Sequence, residues 1–180
     1  MSRSLKVSHG KMTIAIHWSF ALIVFGMLGL GVYMVELTYY DDWYKSAPHI
    51  HKGIGFLLAT LLTIRVFWRV AKGAPDAVPG VKPWESKIAH LVHVILYLIP
   101  LTLIMSGFLI STADGRSMDI FNWFEIPALL PASKGMEDTA GFIHQWLAYS
   151  LGAIAVFHAA AALKHHFVNR DQTLTRMLNP

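Results

Sequence analysis

The chain has 180 residues, of which 54% are hydrophobic and only 14% charged, and its mean hydropathy is +0.46. Soluble domains carry about 25% charged residues, so a membrane class leads and a water-soluble domain is excluded as the first reading. The formal net charge is +4 and there is no cysteine, which excludes internal disulfides, covalently attached c-type haem, thiolate-held iron–sulfur clusters and cysteine nucleophiles.

Four apolar stretches follow one another, at about 12–35, 51–70, 88–111 and 140–163. Each approaches or exceeds the roughly 20 residues a helix needs to cross the hydrocarbon. The first follows Arg3, Lys6 and Lys11 and could pass for a signal peptide. It is too long for the apolar part of one, and no small-residue cleavage site follows it, so it reads as a retained helix. The third contains Pro100, which a membrane helix tolerates as a kink. The connections are too short for another domain. The expected fold is an all-α membrane protein, one antiparallel four-helix transmembrane bundle spanning the chain.

Basic residues set its orientation. Arg3, Lys6, Lys11, Arg65, Arg69, Lys72, Lys82, Lys87, Lys164, Arg170 and Arg176 gather at one side. The other side has Lys45, Lys52, Arg116 and Lys134 among most of the acids. Both termini are therefore expected in the cytoplasm, in a multi-pass membrane protein. The positive charge is then a matter of topology, and nucleic acid is not an expected partner. Trp43, Tyr44, Trp84 and Trp123 at helix ends suit interfacial anchors in lipid.

With that orientation, histidines fall at two depths. His51 and His144 lie near the outer surface, and His17 and His158 near the inner one. His144 and His158 are fourteen residues apart, an interval that rises about 21 Å and returns to nearly the same helical face. Two imidazoles facing each other across a bundle suit the iron of a low-spin haem. They would also suit zinc or copper, which keeps a metal transporter as a reading.

Space favours haem. Beside the helix 4 histidines sit Ala148, Leu151, Ala155 and Ala162, and helix 1 continues from His17 through Ala21, Val24 and Leu28 to Gly31. Gly55 lies one turn below His51. A flat macrocycle needs this clearance, although close helix packing would also use small residues. Ion pathways usually carry intramembrane carboxylates, and none of the four spans has one. Arg65, fourteen residues after His51, is a candidate for a haem propionate, with snorkelling to the interface as the alternative for it and for Arg69. His93 lies at inner depth, with Gly107 fourteen residues on, and is an alternative inner ligand to His17. It and His90 could instead line an inner pocket, while His9 and His49, outside the spans, are expected to be solvated.

The segments "IAIHWSFALIVFG", "HIHKGIGFLLATLLTIRVFWR", "IAHLVHVILYLIPLTLIMSG" and "HQWLAYSLGAIAVFHAAAALKHHFVNRDQTLTRML" together resemble the bacterial cytochrome b561 proteins, relatives of the cytochrome b subunits of nickel hydrogenases. The resemblance covers nearly the whole chain. It implies a four-helix membrane cytochrome with two b haems, ligated at the positions of His17, His51, His144 and His158. Some members are superoxide oxidases that reduce ubiquinone, and the quinone-side positions match Lys82 and His165. His165 or His166 could supply protons there, or the "KHH" run could be a solvated helix end. Lys52 and Lys45 could form a basic entrance for superoxide beside the outer haem, with Arg116 joining them. The acidic outer connections equally suit docking of a basic periplasmic redox donor. The expected activity is superoxide:quinone oxidoreduction, with relay from a separate dehydrogenase as the alternative.

Overall fold

In a computed structural model, residues 10–73 and 78–179 are described; Arg3, Lys6 and His9 lie outside them. Four long helices form, α1 (Lys11–Val35), α2 (Ser46–Lys72), α3 (Pro83–Thr112) and α4 (Met136–Lys164). All four are long and apolar enough to cross a membrane. A segment in hydrocarbon must satisfy its own backbone groups, and the α-helix does so within one chain segment. Their side chains are apolar on most faces, as lipid requires. Phe25, Phe67, Leu98, Met105, Phe142 and Phe157 point outward.

The helices extend beyond the apolar stretches. α2 starts at Ser46, α3 at Pro83 and α4 at Met136. Polar end residues stay helical because they complete the ends. Glu85 accepts the Lys82 backbone N–H at 3.2 Å, with Pro83 in the first turn, which satisfies an orphan donor. Gly73, at φ 69° and ψ -174°, donates to the Arg69 carbonyl at 2.9 Å and then turns the chain out of α2, a backbone conformation open to glycine. α3 runs through Pro100, which is fully buried.

α1 packs mainly on α2, and α3 mainly on α4, with sparser contacts between these two pairs. Midway along, Val24, Leu58 and Leu151 form a buried apolar layer, flanked by Phe20, Leu28, Leu96, Ile99 and Leu103. At one end lie both described termini; the C-terminal segment folds back there, and the Trp18 indole N–H donates to the Met177 carbonyl at 2.8 Å. We call this the termini end.

The opposite end carries a feature absent from the all-α expectation. Strands β1 (Met118–Ile120) and β2 (Phe124–Ile126) pair antiparallel, Ile120 opposite Phe124. Their turn places Phe121 and Asn122 at φ 53° and 58°, with the Trp123 N–H donating to the Ile120 carbonyl at 2.9 Å. Such a turn normally takes Asn-Gly, and a phenylalanine at positive φ is uncommon. Tertiary contacts hold it here. Ile120 is fully buried and the Phe121 ring rests on Gly53 of α2. Asp119 accepts from the Asn122 N–H at 3.1 Å and from His49 Nε2 at 2.7 Å. The Asn122 bond, then the His49 bond, holds the Asp119 carboxyl below its ordinary pKa. His49, expected to be solvated, is instead in the first turn of α2 and pinned to this hairpin, both side chains 32% exposed. Helix formation upstream of the apolar stretch carries it there.

A methyl group at Gly53 would meet the Phe121 ring at 2.3–2.5 Å. Gly53→Ala is therefore expected to destabilise the protein by about 1–3 kcal/mol, as overpacking does. In a Phe121→Ala background the same change should cost little, because the clashing ring is gone. Thermal unfolding in detergent measures both; equal losses in the two backgrounds would contradict the contact.

Candidate haem-binding sites

The helix geometry sorts the histidines into two levels. At the hairpin end, the His51 and His144 rings face each other with centroids 6.1 Å apart and planes at 67°. At the termini end, His17 and His158 have centroids 6.4 Å apart and planes at 66°. An imidazole nitrogen sits about 2 Å from a bound metal and the ring centre about 1 Å further, so two rings on opposite sides of one ion have centres about 6 Å apart. Both pairs have that spacing. His93 also approaches His158, but at 5.2 Å and 70°, closer than opposed ligation allows.

Each level is repeated along each helix. Midway between them, seven residues from either, sit Val24 in α1, Leu58 in α2, Pro100 in α3 and Leu151 in α4, all buried. A polar level, an apolar layer and a second polar level thus stack along the bundle.

Glycines open the hairpin-end level. A Cβ at Gly107 would lie 3.2 Å from His144 Cε1, and one at Gly31 would lie 3.6 Å from His51 Cε1. Gly55 has another role: the side chain nearest to it is Met27 of α1, at 3.8 Å. It serves close packing of α1 on α2, the alternative weighed for small residues.

Polar partners orient the rings. His144 Nδ1 lies 3.0 Å from Ser106 Oγ, and the Ser106 hydroxyl donates to the Leu103 carbonyl at 3.0 Å. Among the described side chains, His51 Nδ1 is buried with no hydrogen-bond partner. At the other level Arg65 Nη2 donates to His17 Nδ1 at 3.0 Å, and Arg65 Nε donates to the Tyr97 hydroxyl at 3.2 Å. Phe20 and Tyr97 flank the guanidinium at 5.5 and 5.4 Å. Arg65 therefore turns into the bundle beside His17, which sets aside snorkelling for this residue.

Among the described residues, no group of three or more His, Asp or Glu side chains is placed to hold a metal ion. Protein zinc sites take three or four ligands, so two-histidine sites fit a macrocycle that fills the remaining iron positions.

Lys82 and His165 come to the same end. Lys82 precedes α3, and Glu85 in its first turn accepts from Lys164 Nζ at 2.7 Å. His165 begins a π-helical turn (His165–Asn169) and donates from Nδ1 to Asp171 Oδ2 at 2.5 Å. Burial raises the Asp171 carboxyl, but hydrogen bonds from Thr173 and His165 outweigh it and hold its pKa at about 2. At the hairpin end Arg116 is 86% exposed and tied to Asp114 at 2.6 Å, so its charge is partly offset beside Lys45 and Lys52.

Ser106, Tyr97, Asp171 and Glu85 are the polar partners the sequence reading missed. Tyr97 follows His93 by one helical turn and Ser106 precedes Gly107, the signals that mark their faces.

The model of the prokaryotic cytochrome b561 family matches residues 8–180. The chain belongs to that family. It is 46% identical over 170 residues to cytochrome b561 homolog 2 of Escherichia coli (strain K12), covering 94% of this chain and 90% of that protein. It is 30% identical to the probable superoxide oxidase CybB of Yersinia pestis, covering 92% of each. Cytochrome b562 of Cereibacter sphaeroides is 27% identical over 94% of each. The protein is thus a membrane electron carrier of the cytochrome b561 type, a family that implies b haem.

The two candidate partners of His158 separate in a simple comparison. His17→Ala should lose about half of the bound haem, while His93→Ala should keep all of it. Haem content per folded chain measures this, and the opposite pattern would make His93 the ligand.

Proposed function

We propose that the chain binds two b haems, one between His51 and His144 and one between His17 and His158, and that it oxidises superoxide at the hairpin end while reducing ubiquinone at the termini end. The observation that carries this is the pair of histidine contacts at 6.1 and 6.4 Å, stacked at two levels. When bound, haem supplies one-electron redox chemistry at each level; the protein supplies position and tuning.

The chain's residues divide that work by level. The hairpin end, read as periplasmic from the distribution of basic residues, offers Lys52 and Lys45 to an anion. Positive side chains near an entrance raise the local concentration of a small anion. His17 and Arg65 prepare the other level. While His17 Nδ1 accepts from Arg65, the neutral ring carries its proton on Nε2. His17 would hold the haem through Nε2, with its ring proton on Nδ1, and Arg65 would then be a bidentate partner for a propionate. Tyr97 keeps the guanidinium at this depth.

At the termini end, Lys82 and His165 bind the quinone oxygens. Asp171 keeps the His165 proton on Nδ1, which leaves Nε2 as the working nitrogen. Two superoxide anions give two electrons and two molecules of dioxygen; the quinone takes those electrons with two protons from the cytoplasmic side through His165 or His166. The support for the donor is the 30% identity to a protein named a probable superoxide oxidase.

A second reading has an observation of its own. Asp41, Asp42 and Glu125 lie in the connections at the hairpin end, and they suit a basic redox protein better than a small anion. The chain would then relay electrons between that partner or a dehydrogenase and quinone.

Stopped-flow mixing of haem-replete protein with superoxide decides between them. The first reading predicts fast haem reduction with no added protein, and no direct reaction leaves the relay. His165→Ala should slow quinone reduction at least tenfold with haem spectra unchanged; an unaltered rate removes His165 from the quinone site.

A further inference from the structure

The two histidine levels differ in what holds the rings, and the hairpin-end level contains a hydroxyl whose role can be worked out by counting protons. Ser106 is 5% exposed, within the bundle on α3. Its single hydroxyl proton goes to the Leu103 carbonyl of its own helix at 3.0 Å. The contact with His144 Nδ1, also 3.0 Å, then has only oxygen lone pairs on the serine side. A hydrogen bond there needs the proton on His144 Nδ1, as does the ring's bond to the same Leu103 carbonyl, so Ser106 and Leu103 act on the ring together. The neutral ring so fixed has its free lone pair on Nε2. Next in sequence, Gly107 leaves only 3.2 Å between a would-be Cβ and His144 Cε1, so the ring is held edgewise against α3 while Ser106 takes its Nδ1–H.

From this we propose that Ser106 is a positioning residue for the hairpin-end haem, setting the tautomer and rotation of His144 and the electron density it donates. The inference rests on the reading of His144 as an iron ligand and adds a partner to it. A hydrogen-bond acceptor on the distal N–H makes an imidazole a stronger donor, which favours the ferric state and lowers the potential of its haem. At the other level His17 Nδ1 lies beside Arg65 and not beside a serine hydroxyl, so Ser106 acts on one level.

The test is a potentiometric titration of haem-replete protein, with the haem held by His144 identified as the one lost in His144→Ala. Ser106→Ala should shift that haem to a more positive midpoint potential and leave the other in place. It should also change the electron paramagnetic resonance anisotropy of that haem, because the ring is free to turn. Ser106→Thr, which keeps the hydroxyl, should return both toward the parent values. Unchanged potential and anisotropy in Ser106→Ala, or an equal shift of both haems, would overturn the role of Ser106 while leaving His144 as a ligand. A His144→Ala protein that keeps both haems would instead overturn the ligand reading, and the inference would fall with it.

Discussion

Opposed imidazoles must stand about 6 Å apart to share one ion between them, and this bundle meets that requirement twice. Most other features of the interior follow from it. An α-helix returns to the same face after seven residues and again after fourteen, with a small drift. α4 uses that repeat directly, His144 above and His158 below with Leu151 between. The other helices keep the register and change the chemistry: His17, Val24 and Gly31 in α1; His51, Leu58 and Arg65 in α2; His93, Pro100 and Gly107 in α3. Wherever one helix brings a ring, a neighbour gives room or a polar partner at that depth.

The apolar layer of Val24, Leu58, Pro100 and Leu151 has a physical consequence for an electron carrier. Electrons cross such a layer by tunnelling, whereas protons need water or titratable groups to carry them. Close-packed aliphatic side chains between two polar levels offer protons no such path. The buried proline belongs to this logic: it fills volume and removes a backbone N–H without adding a polar side chain.

The ends of the bundle carry the specificity. At the hairpin end, Phe121 on Gly53 and His49 on Asp119 fasten a short β-ribbon beside the first turns of α2. At the termini end, the π-helical turn after Lys164 redirects the chain so that Asp171 meets His165 and the Met177 carbonyl meets Trp18. Both ends are built from contacts between residues far apart in sequence. They shape access to the two levels from opposite sides.

That is also why the sequence disclosed the centre of the molecule and not its ends. Apolar length and the fourteen-residue interval are periodic signals, so the four spans and the pairs His51–His144 and His17–His158 could be read directly. His93 could not be separated from His17 in the sequence, because both lie at one depth and they differ only in how closely each ring approaches His158. Ser106 and Tyr97 bond to rings or guanidinium across the bundle, which depends on helix rotation that no periodicity fixes. The β-ribbon lacks the Asn-Gly signal, since its turn is held by burial of Ile120 and the seat on Gly53. The most direct measurement is electron paramagnetic resonance of the oxidised, haem-saturated protein with haem counted per chain. Two haems giving two low-spin ferric signals of the bis-imidazole type in equal amounts are predicted. A single haem per chain, or a persistent high-spin signal at saturation, would contradict the paired histidines.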